Sequence, residues 1–181
     1  MSETFVTQCK ADMRKLYGDL DYVIQIWEMA NAGKRNNSVS RRALAHAYLA
    51  RSENRWSRMQ QSELRRIVAL MQDNIKADGR RDEDYRLWFE AYRMLPEFDI
   101  GEALAQLKLW GSYFPTWRAY FYMYILYFYL WYSGRSDATE EMLLALEKCQ
   151  QSVIGRRSHS IIWLGHEPKH CPLVSAEDLG D

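Results

Sequence analysis

One stretch constrains the fold of this chain more than any other: WRAYFYMYILYFYLWY, Trp117–Tyr132. Ten of its sixteen residues are aromatic, and Arg118 is its one charge. A helix on the surface of a globular protein shows a single apolar face; one that is apolar nearly all round needs cover on several sides. The neighbouring sequence has the 3.6-residue period of ordinary amphipathic helices. An apolar helix among amphipathic ones describes the inner helix of stacked helix pairs, a scaffold for binding rather than for catalysis. A membrane span is the competing reading. The run falls short of the about 20 apolar residues a bilayer needs. Its tyrosines lie mid-segment, where hydroxyls lack partners in hydrocarbon, instead of forming belts at the edges. No membrane role is expected.

The helical period recurs along the chain. Leu20, Val23, Ile24, Trp27 and Ala30 share one side of a helix over Asp19–Ala32. The segment AGKRNNSVS breaks the pattern as a loop does, and Ser38 is read as the N-cap of a helix to about Ser52 that buries Val39, Ala43, Leu44, Ala47 and Tyr48. Trp56–Lys76 reads as a third helix, with Leu64, Ile67, Val68, Met71 and Ile75 as its seam. ADGRRDED, Ala77–Asp84, reads as a polar break whose three acids Asp82, Glu83 and Asp84 are solvated. Tyr85, Trp88, Phe89, Tyr92 and Leu95 then form a face, closed by Pro96.

Asp99 and Glu102 stand in the spacing of a capping box and open a helix carrying Ile100, Ala103, Leu104, Leu107 and Gly111. Pro115 suits the first turn of the aromatic helix and Gly134 its end. Asp137 and Glu140 repeat the capping signal before a seam of Ala138, Met142, Ala145, Leu146, Cys149 and Val153. Trp88 and Tyr122 lie 34 residues apart in comparable helices, the tetratricopeptide period, although the pair opening near Ser38 needs a longer span. The expected fold is all-α: about seven helices in tetratricopeptide-like antiparallel pairs, a short curved array over residues 1–155. An extended tail over 156–181 holds a strand-like Ser160–Gly165.

Cys9, Cys149 and Cys171 are odd in number and far apart, as free thiols in a reducing compartment are. The N-terminus MSETFVTQCKADMRK has no apolar core of a secretory signal, so a cytoplasmic location is expected. The chain is neutral in sum, yet Lys34–Arg81 carries twelve basic residues against four acids, a net of +8, and the remainder carries −8. Arg41, Arg42, Arg58, Arg65 and Arg66, with Trp56 among them, form a candidate partner-binding set. Arginines would grip phosphates and the indole would stack on a base, or the same cations would meet an acidic protein surface, of this or a neighbouring molecule. Tyr120 and Tyr124 are candidates for a groove that takes a peptide or helix.

Catalytic chemistry finds little footing. His166-Glu-Pro-Lys-His170-Cys171 offers N, O and S donors, but a second half-site at zinc spacing is missing and Pro168 keeps the two histidines off a common helix face. No Ser-His-Asp order, nucleophile elbow or HExxH is present. No enzyme activity, metal or cofactor is expected.

DYRLWFEAYRMLP, GEALAQLKLW, AYFYMYILYFYLW and EKCQQ, in that order, resemble the C-terminal tetratricopeptide-like region of large STAND-type ATPases. These include bacterial defence proteins and vertebrate antiviral proteins with a sterile-alpha-motif domain. Arg156-Arg157-Ser158 and Ser160-Ile-Ile-Trp163-Leu164-Gly165 stand where that family turns toward an OB-like barrel. The resemblance covers roughly Asp19 to Leu179 and implies a sensing or partner-docking role. The family's phosphate loop, GxxxxGK[ST], is missing, so its ATPase is not expected here. Neither is the OB-like barrel, and the sequence reads as a piece of a larger protein or a small stand-alone relative. The functional expectation is a non-catalytic protein-interaction or scaffolding module, with a protein partner or self-association. An RNA- or DNA-binding module using Lys34–Arg81 is the alternative.

Overall fold

The computed structural model describes residues 18–33, 36–52, 55–77 and 79–154 (for 153 and 154, the backbone alone). Among them are seven α-helices: α1 (Leu20–Ala32), α2 (Ser38–Arg51), α3 (Gln61–Lys76), α4 (Asp82–Tyr92), α5 (Ile100–Tyr113), α6 (Trp117–Tyr132) and α7 (Thr139–Ile154). Two 3-10 turns, Trp56–Arg58 and Ser136–Ala138, precede α3 and α7, and no strand occurs among the described residues. The fold is all-α, as the sequence predicts. The strand-like Ser160–Gly165 and the rest of the expected tail lie outside the described residues. The chain divides into two compact units, with the division inside α5 between Gln106 and Leu107.

In the first unit α1 packs on α2, α2 on α3 and α3 on α4. The pairings run antiparallel: Asn31 meets Ser40, Glu28 meets Tyr48 and Asp21 meets Arg51, one partner number rising as the other falls. Short connections dictate this geometry. The core is Val23, Ile24 and Trp27 of α1, Leu44, Ala45, Ala47 and Leu49 of α2, Leu64, Ile67, Leu70, Met71 and Ile75 of α3, and Tyr85, Leu87, Trp88, Phe89 and Ala91 of α4.

Four local expectations change here. Asn37, not Ser38, caps α2: its Oδ1 accepts from the N–H of Val39 and Ser40, while Ser40 Oγ accepts from the Asn37 N–H. The buried face of α2 is turned relative to the predicted one. Val39 is 49% exposed and Ala43 and Tyr48 are half-buried, while Ser40 and Arg42 are inside. The helix turns this way because Asn31 of α1 holds Ser40 and Asp84 of α4 holds Arg42, drawing those two residues inward. Trp56 belongs to a separate 3-10 turn, and α3 starts at Gln61.

The fourth change is the largest. Asp82–Asp84 is the first turn of α4, not a solvated break, and Asp84 is 0% exposed. Its carboxylate accepts two bonds from Arg42, Nε to Oδ1 at 2.6 Å and Nη2 to Oδ2 at 2.8 Å. Asn74 Nδ2 donates at 2.9 Å and the Arg81 N–H at 2.8 Å. Arg42 Nη2 also reaches the Gly79 carbonyl at 3.2 Å, and Arg41 Nε donates to Asn74 Oδ1 at 2.5 Å. Three helices and a loop thus converge on one carboxylate, which sits at a helix N-terminus, where negative charge is favoured. Tyr85, Trp88, Phe89, Tyr92 and Leu95 are all buried, as their spacing predicts.

At the start of α5 the expected capping box is half formed. Asp99 Oδ1 accepts from the Glu102 N–H at 2.7 Å. Glu102 does not return the bond: the Tyr92 hydroxyl stands between, accepting from the Asp99 N–H at 3.2 Å and donating to Glu102 Oε2 at 2.6 Å.

In the second unit α6 packs on α7 and on the end of α5. Trp110 is fully buried, its ring 6.0 Å from Tyr122. At Gly111 an added Cβ would stand 3.1 Å from the Tyr120 ring, so the lack of a side chain there lets α5 and α6 close up. Pro115 lies outside α6, since Thr116 is its N-cap, and Gly134 ends the helix at φ +93 in the left-handed position that terminates helices. Asp137 does not cap α7; its carboxylate holds Arg135. Of the predicted α7 seam, Ala138, Ala145 and Cys149 are buried, Met142 and Leu146 are half-buried, and the Val153 side chain lies outside the described residues.

The all-round cover predicted for Trp117–Tyr132 is not what the structure has. Ala119, Met123, Ile125, Leu126 and Tyr127 are buried, and Tyr127 is the one buried ring of the ten. Trp131 is 43% and Tyr132 53% exposed. The small and aliphatic residues of α6 take the interior, and most of its rings lie at the boundary with solvent.

Candidate interaction surface

The basic span is consumed by the unit that contains it. Arg66 reaches Glu28 with two bonds, at 3.0 and 2.6 Å. Arg65 reaches Glu97 the same way, at 2.6 and 3.1 Å, on the exposed side. Arg51 pairs with both Asp21 and Glu63. Arg42 is buried on Asp84, and Arg41 is bound to Asn74 and Asn36. Of those acids, Asp21, Glu28, Asp84 and Glu97 all lie outside Lys34–Arg81. Four acids from outside the span, Asp21 and Glu28 of α1, Asp84 of α4 and Glu97 beyond it, thus meet half of the +8 excess within the unit.

Arg42 leaves the candidate set, because it faces no solvent. Arg58 is exposed and Trp56 half-buried on the 3-10 turn. Arg41 is half-buried in the Asp84 network, and Arg65 and Arg66 sit on α3 in ion pairs. Tyr120 and Tyr124 belong to the second unit, one turn apart on α6. Tyr120 turns its hydroxyl to the Gly111 carbonyl at 3.3 Å, with Lys148 Nζ 5.9 Å from its ring. Tyr124 stands one turn further along α6, its ring 6.2 Å from Phe128.

The aromatic side of α6 that carries Tyr124 is the most distinctive surface among the described residues. Trp117, Phe121, Tyr124, Phe128 and Trp131 follow one another at spacings of 4, 3, 4 and 3 residues. Ring centroids lie 6.2 Å apart from Trp117 to Phe121, 6.2 Å from Tyr124 to Phe128 and 5.7 Å from Phe128 to Trp131. Tyr132 stacks on Phe128 at 6.4 Å. Such distances are those of interacting aromatic pairs. The result is a row of rings along one helix, in contact from Trp117 to Phe121 and from Tyr124 to Tyr132, half-buried over most of its length and exposed at its end. Tyr124 is the one candidate of this row legible in the sequence; Phe121, Phe128 and Trp131 are its companions in the structure. The signal was present in the 4-3-4-3 spacing, hidden because every neighbouring position is aromatic too.

Glu28, Arg66 and Tyr48 form the main half-buried charge cluster of the first unit. Burial pushes the Glu28 carboxyl up, but hydrogen bonds from Arg66 and Tyr48 and the nearby guanidinium outweigh it and hold the carboxyl below its ordinary value. Burial and the bond to Glu28 push the Tyr48 phenol up to about 12. Burial and Glu102 do the same to Tyr92, also to about 12. A raised phenol pKa means the folded chain holds the proton more tightly. Its stabilising contribution is complete below the ordinary value of 10.0 and is lost as pH climbs toward 12. Urea titrations across that window should show Tyr48→Phe/Tyr92→Phe losing markedly less stability than the parent chain; equal losses would place the alkaline sensitivity elsewhere.

Among the described residues no three His, Cys, Asp or Glu side chains converge to hold a metal ion. His159, His166, His170 and Cys171 lie outside the described residues. His46 Nε2 lies 2.7 Å from Glu83 Oε1 at the surface. Burial raises the Cys149 thiol above its ordinary value, which disfavours the reactive thiolate. No helix among the described residues is long and apolar enough to cross a membrane. Comparison with protein-family models, curated proteins and solved structures gives no match.

Proposed function

We propose that this chain is a non-catalytic helical module that docks a protein partner on the aromatic row of α6. The observation that carries this reading is the row itself. It places rings at coiled-coil spacing along the side of a helix opposite the buried Ala119, Met123 and Leu126, half-buried over most of its length and exposed at Trp131 and Tyr132. Coiled-coil spacing presents one straight apolar edge to a second helix. Aromatic residues are enriched among the side chains that dominate binding energy. The resemblance to the helical-repeat region of STAND-type defence ATPases supports a docking role in a sensor. The tetratricopeptide-like pairing and a cytoplasmic location belong to the same proposal. Ion pairs of Arg42, Arg51, Arg65 and Arg66 within their own unit weigh against the nucleic-acid reading.

Site-specific photocrosslinking separates the two readings. A benzophenone side chain at position 128 or 131 should yield protein adducts in cells, and one at position 58 should yield few. Nucleic-acid adducts from position 58, with none from the row, would overturn the proposal. So would binding of single-stranded RNA by the purified chain with the steep salt dependence of phosphate neutralisation.

A further inference from the structure

We draw no further inference here: the strongest candidate, the outer face of α7, where Leu143 (57% exposed) and Leu144 (46% exposed) lie side by side between the exposed Glu140 and Glu147, is an unpartnered apolar face, and nothing in the structure shows what covers it.

Discussion

Asp84→Ala should cost about 3–5 kcal/mol of unfolding free energy, the loss expected when one partner of a buried ion pair is removed and its counter-ion is left behind. The carboxylate is wholly inside, yet it accepts four bonds: two from Arg42, one from Asn74 and one from the Arg81 backbone. Its removal strands the Arg42 guanidinium, 7% exposed, with only the Gly79 carbonyl for company. It also frees the first turn of α4 from the loop before it. The double variant Arg42→Met/Asp84→Leu removes both charges and should recover much of the loss, because a buried pair contributes little net stability against well-packed apolar residues. Urea unfolding read by circular dichroism measures both. An Asp84→Ala loss under about 1 kcal/mol, the size of a surface pair, would mean that the site is wetter than its geometry implies.

Asp84 also marks where the sequence was hard to read. The apolar phase of α1, α3 and α4 was legible because Val23, Ile24, Trp27, Leu64, Ile67, Met71, Tyr85, Trp88 and Phe89 repeat at helical spacing and burial follows spacing. Asp82-Glu83-Asp84 is three acids after Gly79 and two arginines, and local pattern assigns such a string to a loop. What places Asp84 inside is Arg42, forty-two residues earlier, and no local window contains both. The same long-range pair explains the misread face of α2. Hydrophobicity alone puts Val39 inside, but a helix that must deliver Arg42 to Asp84 and Ser40 to Asn31 turns Val39 outward. Charge counting met a similar limit. The excess of basic residues in Lys34–Arg81 was correct as arithmetic, but Glu28 and Glu97, which answer Arg66 and Arg65, come from elsewhere in the chain. A block of one sign in sequence becomes a patch in space only if the fold keeps its counter-charges away.

The aromatic helix failed in the opposite direction. Its composition reads as interior, and a helix so apolar does need cover, but composition cannot say which rings receive it. In α6 the interior goes mainly to Ala119, Met123, Ile125 and Leu126, with Tyr127 the one ring among them, and Gly111 of α5 leaves room for close helix packing. Bulky rings at every position of the contact would hold the two axes apart. The remaining rings are left to contact one another along the outside. The candidate surface was thus half legible: the segment was identified, and the division between its wall and its docking edge was not.

Trp110→Ala tests that division, and its expected cost is about 3–5 kcal/mol, the range for deleting a large buried aromatic side chain. Trp110 is fully buried in the second unit, against Tyr122, one residue before the glycine that lets Tyr120 and Met123 approach. Neighbours held at their current spacing cannot collapse into so large a void without moving α6, so both lost transfer energy and cavity cost should appear. Tyr132→Ala, at a ring 53% exposed on the outer row, should change stability by no more than about 0.5 kcal/mol. The two substitutions remove similar chemistry from adjoining helices and differ chiefly in burial, so their ratio reads out where the aromatic load of this unit does its structural work. Near-UV circular dichroism during urea unfolding follows both. Equal costs would mean that the outer rings hold the fold together, and the row could then no longer be separated from the core as a surface for docking.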